Sequence, residues 1–256
     1  MAARRRAKVG ITLVVLLIIL VGVLAIVDRV AAGVAENRIT DETKAQLAAN
    51  EVTYEGDPHV KINGFPFLTQ VIAGEYQKIT IELDRPQVNN VKLDTLTVEA
   101  KSIKADAQDL MNGKGDVTAG IVTGNASMSW DNVRPLLEVA GMPAATDPSQ
   151  VDLKVVNNKI EMRVPISFQG FNATIIAKGS MIVEAGKVRL KLESVSTDQG
   201  SLPAQVNNLI KTYQNRLQVT VKLPGLPYNL VVNSVQTTDA GLLVTASAAD
   251  VKLTGQ

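Results

Sequence analysis

His59 is the sole histidine and cysteine is absent. A Ser-His or Cys-His arrangement would therefore have one imidazole to draw on and no thiol. No Gly-x-Ser-x-Gly accompanies that histidine. It follows Asp57-Pro58, turn-forming residues, so an exposed loop histidine is the plainer reading. Without cysteine there are no disulfides and no thiolate-held metals. Metal-ligand clusters, a phosphate-cradling glycine loop and a dinucleotide fingerprint are missing as well, and no cofactor is implied. Paired carboxylates could serve a glycoside hydrolase, but the spacing of the 25 acidic residues singles out no pair. Asn125-Ala-Ser and Asn172-Ala-Thr match glycosylation acceptors, which matter only in a host that glycosylates.

The segment that stands out is apolar. Gly64-Phe65-Pro66-Phe67-Leu68-Thr69-Gln70-Val71 holds two of the four phenylalanines within three positions. Residues 65–73 place Phe67, Leu68, Val71 and Ile72 at helical spacing. A second amphipathic helix is expected over residues 203–216, where Pro203 suits the first turn. Val206, Leu209, Ile210, Tyr213 and Leu217 line one stripe of it, opposite Gln, Asn, Lys and Arg. Two readings stand side by side. The structural one makes Phe65 and Phe67 plugs in a core. The functional one has Phe65, Phe67, Leu68, Val71 and Ile72 form one wall of a cavity for acyl chains, and Val206, Leu209, Ile210 and Tyr213 another.

What positions these elements starts at the N-terminus. Nineteen uncharged residues, Val9 to Val27, follow a cap holding Arg4, Arg5, Arg6 and Lys8. As a helix they would rise about 28 Å at roughly 1.5 Å per residue, close to the hydrocarbon thickness of a bilayer. The positive-inside bias predicts residues 1–8 in the cytoplasm, 9–27 in the membrane and 28–256 outside it. A cleavable signal peptide has a shorter apolar region, of about 7–15 residues, and a small-x-small site. Here the nearest small pairs, Ala31/Gly33 and Gly33/Ala35, lie beyond Asp28 and Arg29. An uncleaved signal anchor is the favoured reading; cleavage and a buried soluble helix are its alternatives.

After the cap the chain carries 22 basic and 25 acidic residues, a net of about −3. That is the wrong sign for nucleic acid or for adhesion to an anionic surface. With no disulfides the outer part must be held by its core, and roughly 225 residues suffice. Residues 28–50 predict a helix continuing out of the membrane, ended by Asn50 and a Gly56-Asp57-Pro58 turn. Beyond it the period becomes two. Ile79/Ile81/Leu83, Ile160/Met162/Val164/Ile166/Phe168, Val188/Leu190/Leu192 and Leu217/Val219/Val221/Leu223 each alternate with other residues. This predicts half-buried antiparallel strands. The phase slips between 91 and 100, which predicts a bulge or bend; Pro165 predicts an edge or bulge for its strand. Hairpins are expected at Asn157-Asn158, Ala185-Gly186 and Asp239-Ala240-Gly241. A third helix is expected over residues 131–140, from Asp131 as N-cap through Val133, Leu136, Leu137 and Ala140 to Gly141. The sum is an α+β domain of two similar halves, with Pro143 to Ser149 as its only seam.

The stretch from Val60 through Gly64-Phe65-Pro66-Phe67-Leu68-Thr69-Gln70 to Ile81 resembles the signature of the LmeA-like phospholipid-binding family of actinobacterial envelopes. The layout is similar too: membrane segment, helix, signature, alternating strands, a late helix, and closing hairpins from Gly225 to Leu253. The resemblance implies a curved antiparallel sheet wrapped on amphipathic helices, like the tubular lipid-binding (TULIP) modules. It also implies a phospholipid partner during assembly of envelope glycolipids. The leading expectation is thus a non-enzymatic, membrane-tethered phospholipid-binding or lipid-transfer protein. A scaffold with a filled core and no ligand is the second reading, and a carboxylate hydrolase the third. Neither the lipid head group nor any protein partner is written in the residues.

Overall fold

The computed structural model describes residues 2–88, 91–106, 116–140, 152–156, 159–168, 171–198, 218–221 and 229–253. Helix α1 (Ala2–Ala49) runs unbroken through the apolar segment and the Ala-rich stretch that follows, as their composition predicts. It stops where expected. The Asn50 side chain donates to the Gln46 carbonyl, the Val52 N–H donates to the Leu47 carbonyl, and Glu51 turns left-handed at φ 57°. The Gly56-Asp57-Pro58 turn does not form. Those residues lie within strand β1 (Thr53–Asn63), whose register against β2 (Glu75–Val88) shifts between Glu55 and His59. Gly56, at φ 68°, absorbs the shift as a bulge, and the edge position of β1 tolerates Pro58. His59 is therefore an exposed strand residue opposite Glu82, not a turn residue.

A short helix, α2 (Phe67–Ala73), connects β1 to β2. The chain then folds through β3 (Val91–Lys92), β4 (Thr95–Lys104) and β5 (Thr118–Ser129). With the later hairpin of β12 (Val231–Thr237) and β13 (Gly241–Lys252) they form a seven-stranded antiparallel sheet. Its order is β1-β2-β4-β5-β13-β12, with β3 beside β2. The phase slip at 91–100 is the break between β3 and β4, where Arg85 turns left-handed at φ 45° while the Leu93 N–H still donates to the Pro86 carbonyl and the Asp94 carbonyl accepts the Arg85 N–H. Register is kept across it, since Asp84 faces Thr95 and Gln87 faces Lys92. The outcome is a bend and not an inserted residue.

A second irregularity crosses the sheet in one row, at Gln77, Ser102, Gly120 and Asp250. Pairing resumes on both sides of it, with Ile103 facing Tyr76 and Ala119, and Ala119 facing Val251. Ser102 and Asp250 are left-handed, at φ 52° and 51°. A Cβ on Gly120 would stand 3.2 Å from the Ser102 Cβ, so the row packs closely there. Apolar residues sit at even positions before the row (Val98, Ala100, Val122, Ala248) and at odd positions beyond it (Ile103, Ala119, Val251), all in one cluster. The kink cancels the one-residue phase change that would otherwise turn the second group to the other face.

Strands β6 (Leu137–Ala140), β7 (Asp152–Val156), β8 (Lys159–Phe168), β9 (Phe171–Glu184), β10 (Lys187–Thr197) and β11 (Gln218–Val221) form the second antiparallel sheet, in the order β6-β11-β10-β9-β8-β7. Neither sheet closes into a barrel, and the fold is α+β. The sheets share a core: Met128, Val232, Leu242 and Val244 of the first meet Ile160, Met162, Val164, Val188 and Leu190 of the second. The predicted 131–140 helix is corrected. One turn at Trp130–Val133 and a 3-10 turn at Arg134–Leu136 give way to β6, which pairs with β11 through Leu137↔Val221 and Val139↔Val219. Pro135 removes a helical donor, and distant strand pairing then outweighs local helix preference. Pro165 faces Thr174 of β9 with no break in register, and the residues that would face it on the β7 side lie outside the described ones. The Ala185-Gly186 hairpin has both residues at positive φ, and the Thr238 and Gly241 backbones bond each other across the last hairpin. Val156 and Lys159 pair across the predicted Asn157-Asn158 turn. The 203–216 helix and the Pro143–Ser149 seam lie outside the described residues.

One buried carboxylate ties the second sheet. Glu161 on β8 faces Lys178 on β9, with Lys178 Nζ at 3.0 Å and an Arg163 nitrogen at 2.7 Å. The hydrogen bond from Lys178, then that from Arg163, hold the carboxyl below its ordinary range against the opposing effect of burial. A depressed folded-state value means stability that is present above the unfolded value of about 4.3 and lost as pH falls through the folded one. Glu161→Gln is accordingly expected to lower the urea midpoint at pH 7. The gap to the parent protein should narrow steadily below pH ~4, and a gap independent of pH would refute the ion-pair account.

Candidate lipid-contacting site

The signature segment folds as α2 because its neighbours supply what its own sequence lacks. Pro66, at the N-cap position, has extended dihedrals and offers no side-chain cap. The missing acceptor comes from α1: an Asp28 carboxylate oxygen takes the Leu68 N–H at 2.8 Å. At the other end Gly74 is left-handed at φ 65°, and a Cβ there would meet the Ala105 carbonyl at 3.3 Å. Gln70, buried in the middle, accepts the Gln77 N–H at 2.9 Å and donates to the Asn63 carbonyl. Glu36 of α1 accepts the Ile62 N–H at 2.8 Å, so the outer edge of β1 is also satisfied by the helix.

These ties place α1 and α2 on one face of the first sheet. Ala31, Ala32, Ala35 and Ile39 of α1 pack with Phe67, Leu68 and Val71 of α2 over Ile62, Tyr76, Ile103, Ala119, Val122 and Val251. Small residues on α1 let the helix come close. Phe67 is 5% exposed, and its ring lies 6.3 Å from that of Tyr76. Burial pushes the Tyr76 phenol up, and the charge of Asp106 adds to the shift.

Of the residues expected to line a cavity, the fold brings Phe67, Leu68 and Val71 together. Phe65 and Ile72 do not join them and stand 61% and 87% exposed. Val206, Leu209, Ile210 and Tyr213 lie outside the described residues. An open cleft of about 520 Å³ adjoins the same apolar face. It follows the part of β13 that runs past the start of β12, since Val231 already faces Ser247. Asn229, Val231, Ser247, Asp250, Val251 and Lys252 are among its walls. Ala248 and Val251 belong both to the cleft and to the cluster beneath α2. The cleft is open to solvent and mixed in polarity, and Lys252, paired with Asp116 at 3.4 Å, is a cation on its wall.

Residue types alone did not point to Asp28 and Arg29, which look like a cancelling pair after the apolar run. Asp28 is 2% exposed and grips both α2 and Arg29. Burial pushes its carboxyl up, but the Leu68 and Phe67 N–H groups and Arg29 outweigh this and hold it below the ordinary range. Arg29 donates to the Gly64 carbonyl at 3.1 Å and lies over the Phe65 ring, 5.3 Å from its centroid. A charge directly after an apolar run, next to a helix with no cap of its own, was the available signal. Among the described residues no group of His, Asp and Glu could hold a metal ion.

Two helices lie on one apolar face of the first sheet, with an open cleft beside them, in an α+β fold. The chain belongs to the LmeA-like phospholipid-binding family, whose model matches residues 26–247. No curated protein and no solved structure matches it.

Proposed function

We propose that this chain is a phospholipid-binding protein tethered to the cell membrane through residues 9–27, with residues 1–8 cytoplasmic and 28–256 forming one extracytoplasmic lipid-binding domain. The observation that carries the reading is the apolar face of the first sheet beneath α1 and α2, continuous through Ala248 and Val251 with a 520 Å³ cleft, in a chain of a phospholipid-binding family. Acyl chains would be drawn there by about 0.8 kcal/mol per CH₂ removed from water. Phe65, Phe67, Leu68, Val71 and Ile72 on one side, and Val206, Leu209, Ile210 and Tyr213 on the other, are the proposed lipid contacts. The role is binding or transfer of phospholipid in support of envelope glycolipid assembly, without catalysis.

The tether reading is supported by α1, the one helix among the described residues that is long and apolar enough to cross a membrane. It is further supported by use of Asp28, Ala31 and Ala32 in the fold. Cleavage near Ala32 to Glu36 would take away the carboxylate that caps α2. Protein purified from native membranes should therefore show the mass of the uncleaved chain and yield about one phospholipid per chain on organic extraction. A new N-terminus near Ala32 would make it a secreted protein. An intact chain without lipid would favour the filled scaffold.

A further inference from the structure

Phe65 and Ile72 are the exposed large apolar residues of the signature segment, and of the two Phe65 is the one tied to α1. Its ring is 61% exposed while Phe67, two residues on, is buried. It is also held in place: Arg29 stacks on it and donates to the Gly64 carbonyl before it. Arg29 lies two residues beyond Val27, the last of the apolar run, which is about 3 Å along a helix axis. A residue tied to Arg29 is thus tied to the level at which α1 would leave the hydrocarbon. A large apolar ring with a guanidinium beside it suits that depth, where aromatic residues and arginine bridge acyl chains and phosphates. An exposed, fixed aromatic costs hydration in a soluble domain with no partner for it.

We infer that the Gly64–Pro66 loop is a membrane contact: Phe65 enters the head-group layer of the same bilayer that α1 crosses. This rests on the tether reading and deepens it. The loop then holds α2 and the first sheet at a set height and tilt, so that the apolar face opens at the lipid surface and not into water. A lipid could pass from bilayer to sheet without full exposure of its chains, which is the costly step of transfer.

The absence of cysteine allows single-site labelling of the full chain. Ile26→Cys, Phe65→Cys and Leu243→Cys, all at exposed apolar positions, would each carry an environment-sensitive fluorophore. Each labelled protein would be reconstituted in phosphatidylcholine–phosphatidylglycerol vesicles with and without brominated acyl chains. Labels at 26 and 65 are expected to lose most of their emission to the bromines and to be blue-shifted without them. The label at 243, near the far hairpin of the sheet, should show neither. Quenching at 26 without quenching at 65 overturns the contact and leaves the tether standing. No quenching at 26 overturns the tether and the contact with it. Quenching at all three positions shows a domain lying indiscriminately on lipid, and overturns the assignment to this loop.

Discussion

Ile103→Ala is expected to cost about 2–5 kcal/mol of unfolding free energy, and Val71→Phe, in the same cluster, close to nothing. Ile103 is 2% exposed and sits between Tyr76 and Ala119 on adjoining strands, where a lost side chain leaves a hole that close-packed neighbours fill only in part. For a domain of this size the change amounts to roughly 2–4 °C in melting temperature per kcal/mol. Val71 is only half-buried, on the side of α2 that meets α1 and the sheet. If that face opens into a lipid cavity, a phenylalanine there occupies space that acyl chains would use. The variant should melt near the parent temperature and carry little phospholipid. Overpacking a filled core would instead cost about 1–3 kcal/mol. Val206→Phe applies the same test to the second proposed wall. Urea titration and lipid extraction on each variant decide the matter, and a destabilised Val71→Phe that still holds normal lipid would remove Val71 from the binding wall.

Asp28→Ala should release α2 from α1. The carboxylate is the acceptor for the Leu68 N–H, and Pro66 has no side chain to replace it. Amide exchange at Leu68 is expected to rise roughly five- to tenfold, as for loss of a helix cap, with the amides of the second sheet unchanged. Phospholipid retention should fall with it, because Phe67, Leu68 and Val71 are placed by that helix. The effect has a pH counterpart. The Asp28 carboxyl is held below its ordinary range, so its contribution is intact above the unfolded value of about 3.9 and fades as pH falls through the folded value. Exchange at Leu68 in the parent protein should therefore quicken below pH ~4, relative to the second sheet, while in Asp28→Ala that pH dependence disappears. Equal protection of Leu68 in parent and variant would show that α2 is held by its apolar contacts alone.

The sequence by itself determined the elements whose signals are local. An uncharged run and an Ala-rich continuation make α1 without help from the rest of the chain. Period-two alternation marks β2, β8 and β10, since side chains of a strand alternate faces whatever its partner. The signature segment was legible as a helix from the spacing of Phe67, Leu68, Val71 and Ile72, and Ala185-Gly186 as a hairpin from its tolerance of positive φ. Tertiary structure decided everything that depends on residues far apart. Leu137–Ala140 is a strand because β11, some eighty positions later, offers it a ladder, and local propensity cannot register that partner. Gly56 to Pro58 bulge and do not turn, because β2 pairs with the residues on either side. Which signature residues are buried is a matter of what lies above them. Phe67 faces Tyr76 while Phe65 lies exposed under Arg29, although the two share one residue type two positions apart. Asp28 reads as a charge that ends an apolar run. Only the docking of α2 beside α1, forty residues on, makes it a cap, because a hydrogen bond needs both partners in place.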